Sequence, residues 1–267
     1  AIAMIKKLFY FIPLKVRTVT RHPIKYYFFT RMSTNNIQKL TRNIIYKEFL
    51  YNFRFLPREI IEHREYFKRE NMGYGESAFH TLWFYLVKTY KPRDFLEIGV
   101  YRGQIISLVS LLAKKYKIKM KVAGLSPFTE EGDGVSEYIS LDYLADTKDN
   151  FNHFSLEEPH LVKARSNDAN GINFIKSKKW DMIYIDGNHD YEVVKDDFEL
   201  CIRQLNKSGI LVLDDSSLYT DFLPEKIGLS SFRGHPGPSS VFKESINNQD
   251  IIFLFGVGHL NVFKKSN

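Results

Sequence analysis

The stretch Asp94-Phe95-Leu96-Glu97-Ile98-Gly99-Val100-Tyr101-Arg102-Gly103 constrains this chain most. An apolar run that ends near an acid and turns on two glycines reads as a buried strand feeding a helix. A Cβ at Gly99 or Gly103 would block close approach of a ligand to the backbone, or would resist the angles the turn needs. The helix that follows, from Gln104 to about Tyr116, points its N-terminal amides at the same place.

The rest of the sequence supplies strands and helices to go with it. Strands are expected at Phe95–Ile98, Lys121–Leu125, His160–Val162, Met182–Ile185 and Ile210–Leu213. Helical patterns fall between most of them, notably Gln104–Lys115 and Tyr191–Asn206. Alternation of this kind implies a parallel sheet wound on both faces. Ile251–Phe255 and Leu260–Phe263, joined by Gly256-Val257-Gly258-His259, read as a closing antiparallel hairpin, giving seven strands. Upstream, the spacing of Ile37, Leu40, Ile44, Ile45, Phe49 and Leu50 is helical, Pro57 interrupts it, and a second helix starts near Arg58. Residues 71–75 form a turn, and Ser77–Tyr90 is a further helix closed by Lys91-Pro92. With 267 residues, 44% of them hydrophobic, the chain can bury one full α/β core. The expected division is a basic, aromatic helical extension over 1–72 and the α/β domain over 73–267.

Charge is unevenly placed. Residues 1–47 hold ten Lys or Arg (Lys6, Lys7, Lys15, Arg17, Arg21, Lys25, Arg31, Lys39, Arg42, Lys47) and no acid, whereas the remainder holds 28 basic against 31 acidic residues, a net of −3. The extension also carries Leu8-Phe9-Tyr10-Phe11-Ile12 and Tyr26-Tyr27-Phe28-Phe29. Two readings of it stand: a helical arm that packs on the domain or on a second copy of the chain, or a segment that meets an anionic membrane surface. Nucleic acid is not expected as a partner. No apolar run approaches the roughly 18 residues that span a bilayer, and none resembles a secretory signal. Ala1-Ile2-Ala3 ahead of Met4 reads as a cloning remnant. The one cysteine, Cys201, lies in a helical apolar pattern; it excludes an internal disulfide and any zinc site built on several cysteines. This usage fits a reducing cytoplasm, with peripheral contact at the inner membrane face as the extension's second reading.

Ligands of open α/β sheets bind beyond the carboxyl ends of the strands. Here those ends deliver Glu97 with the glycine turn, Ser126-Pro127-Phe128, Arg165-Ser166-Asn167-Asp168, the run Asp186-Gly187-Asn188-His189-Asp190-Tyr191, and Asp214-Asp215-Ser216. Asp186, Asp214 and Asp215 fall on what should be adjacent strands. Carboxylates converging at one point repel unless a cation or buried protons sit between them. A hard divalent cation such as Mg²⁺ suits an all-oxygen set. Hydrogen bonding without a metal is the alternative.

Glu97-Ile98-Gly99-x3-Gly103, Ile185-Asp186-Gly187-Asn188-His189-Asp190-Tyr191, and Ser208-Gly209-Ile210-Leu211-Val212-Leu213-Asp214-Asp215 together resemble class I S-adenosylmethionine-dependent methyltransferases. The likeness is to the metal-dependent branch of catechol-type and sugar O-methyltransferases, and it covers roughly residues 75–265. It implies a Rossmann-like methyltransferase fold: a doubly wound, mostly parallel sheet with a C-terminal antiparallel hairpin. It implies S-adenosylmethionine as cofactor, held by Glu97, Gly99, Gly103, Ser126, Ser166, Asn167 and Asp186. Ser126 stands where the family has an acid for the ribose hydroxyls, which puts that contact in question. By the same resemblance Asp186, Asp214 and Asp215 would be metal ligands, and His189, three residues after the first, would be the catalytic base alongside Asp186. An imidazole near pKa 6.5 suits that task. A structural histidine capping the next helix is the competing reading of His189.

The long connection from Ser216 to Asp250 is expected to form a lid that selects the acceptor. Its candidates are Tyr219, Asp221, Arg233 and His235, with Phe232 beside them and the turn Gly234-His235-Pro236-Gly237-Pro238. A hydroxyl on a small molecule or glycan, a sugar first, suits this polar and aromatic mix. Tyr138, Tyr143 and His153 either belong to the same acceptor wall or are ordinary surface and core positions, the second reading being preferred. A cofactor-binding relative that is non-catalytic or hydroxylase-like is the alternative function, and a homo-oligomer is compatible with the sequence.

Overall fold

In the computed structural model, residues 33–70, 72–130, 132–136 and 138–266 are described. Seven of the ten cations of the extension, Lys6 to Arg31, lie outside them. The strands are β1 (Asp94–Ile98), β2 (Lys121–Ser126), β3 (His160–Lys163), β4 (Trp180–Ile185), β5 (Leu205–Leu213), β6 (Ile251–Val257) and β7 (Leu260–Lys265). They form one sheet in the order β3-β2-β1-β4-β5-β7-β6. The first five are parallel, and β7 runs antiparallel between β5 and β6. The strand order reverses between β1 and β4, so the crevice for a ligand opens above these two.

The helices are α1 (Thr34–Ile37), α2 (Arg42–Asn52), α3 (Arg58–Arg69), α4 (Ser77–Tyr90), α5 (Gln104–Lys115), α6 (Tyr143–His153), α7 (Ala169–Lys176), α8 (Tyr191–Gln204) and α9 (Pro236–Ser245). Strand side chains alternate between the two faces. Phe95, Met182, Tyr184, Ile210 and Val212 face a core closed by α4 and α5. Leu96, Ile98, Ile183, Ile185, Leu211 and Leu213 face a second core closed by α8 and α9. Helices α6, α7 and α9 were not among those named from the sequence. Pro236 ends no element: with Gly234 at φ +109 turning the chain, it occupies the first turn of α9, where a missing N–H costs nothing. The turn expected at Gly234–Pro238 is therefore the start of a helix.

Both glycines of the turn after β1 take the left-handed angles that it was expected to need, and both also relieve crowding. Gly99 has φ +97, and a Cβ there would stand 1.9 Å from the Asp186 carbonyl oxygen. Gly103, at φ +79, would meet the Thr147 methyl at 2.8 Å. What crowds both positions is neighbouring protein: Gly99 lets the loops after β1 and β4 lie against each other, and Gly103 lets the β1 turn lie against α6.

The described part of the extension shares the domain's core. Ile37, Ile45, Tyr46 and Phe49 belong to the same buried cluster as Phe79 and Trp83 of α4 and Phe255 of β6. No break in packing marks residue 72. Arg42, counted among the extension's cations, is buried. Its Nη1 donates to Ser217 Oγ at 3.0 Å and Asn261 Oδ1 at 2.7 Å, and its guanidinium lies 5.5 Å from the Phe242 ring centre. Burial lowers its pKa to about 10, against the pull of exposed Asp221, so it remains a cation at neutral pH. Arg42 thus ties α2 to the C-terminal hairpin and is withheld from any surface. Arg42→Ala should cost about 2–4 kcal/mol of stability, because it strands buried acceptors on Ser217 and Asn261. The check is the urea midpoint; an unchanged midpoint would contradict this role.

Candidate active site

A cavity of about 490 Å³ opens above β1 and β4, within the size range of small-molecule sites. Glu97, Gly99, Ser126, Ser166, Asn167 and Asp186 all line it, as do His189, Asp214, Asp215 and His235. Gly103 does not; it sits behind, capping α5. Tyr219 and Asp221 are also off the wall: Tyr219 is exposed and Asp221 faces Arg42 at 3.7 Å. Arg233 turns back on its own loop, donating to the Leu218 carbonyl at 2.9 Å. Of the residues expected from the long connection, His235 and Phe232 reach the cavity, and Tyr138 does so from the loop after β2.

The β1 end is anchored by Glu97, which is 2% exposed. Its Oε2 has no hydrogen-bond partner. Burial raises this carboxyl to about 8, the Ile106 backbone N–H pulls it down, and the charge of Asp214 adds to the rise.

The β4 and β5 ends carry the acids. Asp186 and Asp214 both contact the Tyr184 hydroxyl, Asp186 Oδ2 at 2.9 Å. Tyr184 is held from below by the edge-on Trp83 ring at 5.0 Å. One hydroxyl has one proton to give, so the second contact needs a proton on a carboxyl. That agrees with Asp186, which burial and then the Asp214 charge push well above the usual carboxylate range. Asp214 is raised by burial too, against the nearby His259. Asp215, in the left-handed region at φ +49, faces histidines. Burial would raise it, but the His189 hydrogen bond and the charge of His259 hold it below its ordinary value.

His189 stands between two carboxylates. Its Nδ1 lies 2.7 Å from Asp133 Oδ2 and its Nε2 3.0 Å from Asp215 Oδ2; its backbone N–H also donates to Asp133, at 2.6 Å. Burial lowers its pKa, but Asp215 and Asp133 together outweigh burial and raise it. At neutral pH the ring therefore carries more positive charge than a free imidazole. Gly237 lets α9 approach this loop: a Cβ there would lie 2.1 Å from the His189 carbonyl oxygen. Asp133 itself is lowered to about 2, hydrogen bonds from Ser136 and the charge of His189 overcoming burial.

Two residues were not foreseen. Asp133 sits in an irregular loop after β2, with no periodicity to single it out. His259 sits in the β6–β7 turn, and its nearness to Asp214, at 3.3 Å, follows from β7 pairing with β5. Among the described residues, two groups have ligand atoms within 4.8 Å of one another: His189 with Asp215 and His235, and Asp214 with Asp215 and His259. Asp186 belongs to neither.

The seven-stranded sheet with its reversed last pair and a cavity at the switch point defines a methyltransferase fold. Residues 96–216 match a family model described as a methyltransferase domain. That match covers less than half of the chain: it likens this stretch to methyltransferase domains, and the sheet gives the chain their fold. Among solved structures it resembles a candidate caffeoyl-CoA O-methyltransferase from Staphylococcus aureus: 16% identity, 79% of this chain and 93% of that one, TM-score 0.57. The S-adenosylhomocysteine-bound methyltransferase PaMTH1 of Podospora anserina gives 14% identity, 79% and 89% coverage, and TM-score 0.54. The O-methyltransferase of Bacillus cereus in complex with S-adenosylhomocysteine gives 13%, 79% and 92%, and 0.53. At such identities the likeness is one of fold. An uncharacterized protein of Acanthamoeba polyphaga mimivirus, R132, is 27% identical over 139 residues, which span 51% of this chain and 57% of the viral one.

Glu97 yields a stability prediction. Its folded pKa of about 8 lies above its ordinary 4.5, so between those values the folded state holds a proton that the unfolded state has released. Stability is then lost as pH rises through this window and is fully present below it. Glu97→Gln should flatten the fall in melting temperature between pH 5 and 8, relative to the unchanged chain without ligand. Parallel curves for the two proteins would show that Glu97 is not titrating there.

Proposed function

We propose that this chain transfers a methyl group from S-adenosylmethionine to a hydroxyl of a small-molecule or glycan acceptor, with His189 as the base. The observation that carries the reading is the placement of His189 between Asp133 and Asp215 on the wall of a cavity whose far end offers an unpartnered Glu97 oxygen.

The residues fit the cofactor. A buried carboxyl with a free oxygen and a raised pKa is stabilised when a cationic group docks beside it. The ammonium of the cofactor's methionine end is such a group. Ser126, Ser166 and Asn167 lie on the same wall and offer hydroxyls and an amide to a ribose and a base. Ser126 brings no charge to the ribose. When bound, the cofactor supplies a methyl already activated by its sulfonium.

The chain's own part is to orient the acceptor and take its proton. Asp133, bonded to Nδ1, fixes the ring's orientation and directs Nε2 toward Asp215 and the cavity. An acceptor hydroxyl entering beside Asp215 would present its proton to Nε2. Phe232 and Tyr138 offer ring faces and His235 a polar edge to a sugar, which we favour as the acceptor. A divalent cation would add Lewis-acid stabilisation of the acceptor oxygen, and Asp214 and Asp215 are carboxylates suited to hold it. Contact of residues 1–47 with an anionic membrane surface is a separate part of the proposal, supported by their charge and aromatic content; no described helix is long and apolar enough to cross a membrane.

The test is S-adenosylhomocysteine formation over a panel of sugars and phenols, followed across pH. Activity should rise with pH through a pKa above the ordinary histidine value, because the base must first lose the proton that Asp133 and Asp215 stabilise. His189→Ala should lower kcat by about 10²–10⁴-fold while leaving S-adenosylhomocysteine affinity in place. Asp133→Asn should shift the rising limb to lower pH. Loss of cofactor binding in His189→Ala, or a pH limb that ignores Asp133→Asn, would contradict the assignment. Cofactor binding with no acceptor in any panel would favour a non-catalytic relative.

A further inference from the structure

The acids at the ends of β4 and β5 do not act as one set. Asp186 is turned inward to the Tyr184 hydroxyl, whereas Asp214 Oδ1 and Asp215 Oδ1 face His259 Nε2 at 3.3 and 3.7 Å. Two ligands each about 2.1 Å from one ion, at tetrahedral or octahedral angles, stand roughly 3.0–3.4 Å apart. The Asp214–His259 spacing falls in this range.

The orientation of His259 is a second, independent indication. Its Nδ1 lies 3.0 Å from the Phe232 carbonyl oxygen, which can only accept, so Nδ1 carries the proton. Nε2 is thereby the nitrogen left to face the two carboxylates: it pairs with them as a donor while the ring is protonated, and a metal that binds there displaces that proton. A backbone carbonyl that fixes the tautomer in this way is the usual outer support of a metal-bound histidine. The ring is also clamped, edge-on to Phe79 at 4.6 Å, and its backbone carbonyl accepts from the Ser216 amide at 3.0 Å. Asp215 divides its two oxygens: Oδ1 turns to His259, and Oδ2 bonds His189 at 3.0 Å. A cation on the Oδ1 side therefore leaves His189 in place on the other.

We propose that Asp214, Asp215 and His259 form a divalent-metal site in which His259 takes the place expected of Asp186, and that this imidazole makes the site select first-row transition ions over Mg²⁺. Mg²⁺ binds oxygen and keeps its waters, whereas imidazole suits transition ions. Mn²⁺ is the weakest binder of that series, so a preference for Mn²⁺ over Mg²⁺ is the minimum the proposal requires. The inference deepens the reading of this cavity as a methyltransferase site and rests on it for the metal's purpose, though not for its binding.

The full chain, stripped with chelator, is titrated with Mn²⁺ by loss of the free-ion electron paramagnetic resonance signal, with Mg²⁺ as competitor. S-adenosylhomocysteine binding is measured by calorimetry on the same preparation. The expected result is one Mn²⁺ per chain, bound about tenfold or more tighter than Mg²⁺. His259→Gln should weaken Mn²⁺ by about tenfold or more and erase the preference, while Asp186→Asn retains Mn²⁺ affinity. Metal-free melting curves confirm that the variants fold, and the unchanged chain's Mn²⁺ to Mg²⁺ ratio needs no variant. Equal affinities for the two ions, or binding lost in Asp186→Asn and kept in His259→Gln, would overturn the site. If S-adenosylhomocysteine binds and Mn²⁺ is not preferred, this inference fails and the methyltransferase reading stands. If Mn²⁺ binds through His259 and S-adenosylhomocysteine does not bind, the reverse holds.

Discussion

Four carboxyl groups, on Glu97, Asp186, Asp214 and Asp215, meet where β1, β4 and β5 end, and the cost of keeping them there governs the whole site. Buried charges of one sign are tolerated only with protons, hydrogen bonds or counter-charges. The chain uses all three. Tyr184 lends a hydroxyl to Asp186 and Asp214, burial keeps protons on Glu97 and Asp186, and His189 and His259 stand against Asp215 and Asp214. Each compensation comes from a different segment. Tyr184 is set by Trp83 of α4, His189 by Asp133 and by Gly237 of α9, and His259 by the β5–β7 pairing. The acids thus bind the fold's remote parts to one cavity edge.

Functional polarity follows from the same arrangement. At the β1 end, an uncompensated Glu97 oxygen invites a cation. At the β4–β5 end, imidazoles face the carboxylates, and in the proposed reaction an acceptor would meet His189, whose proton affinity Asp133 and Asp215 raise, as its base. The two ends share one cavity, which is the geometric requirement for passing a group from a bound cofactor to an acceptor.

Much of this could be read from the sequence, for identifiable reasons. Apolar runs marked all of β1 through β7, with β5 beginning earlier, at Leu205, and helical patterns marked Ser77–Tyr90 and Gln104–Lys115 at the bounds the structure has. Motif spacing gathered Glu97, Asp186, His189, Asp214 and Asp215, and all of them reach the cavity. What escaped has a physical cause. Asp133 and His259 come from a loop and a turn, where no period marks a residue, and they matter only through tertiary pairing. Gly234–Pro238 carries turn residues, yet proline is equally at home in a helix's first turn. Arg42 looked like one cation in a run of ten, but its neighbours across the sheet, Asn261 and Phe242, are more than 190 positions away. Gly99 and Gly103 were placed correctly on a turn, although what crowds them is the loop after β4 and Thr147 of α6.

The central claim is that the β1 end of this cavity grips S-adenosylmethionine through Glu97. Calorimetric titration of S-adenosylhomocysteine into the unchanged chain, Glu97→Gln and His189→Ala tests it most directly. The account predicts one site per chain, weakened about tenfold or more in Glu97→Gln, where a charge-assisted hydrogen bond worth roughly 1.5–3 kcal/mol is lost. It predicts no weakening in His189→Ala. Absence of binding, or binding that ignores Glu97 and fails in His189→Ala, would contradict it.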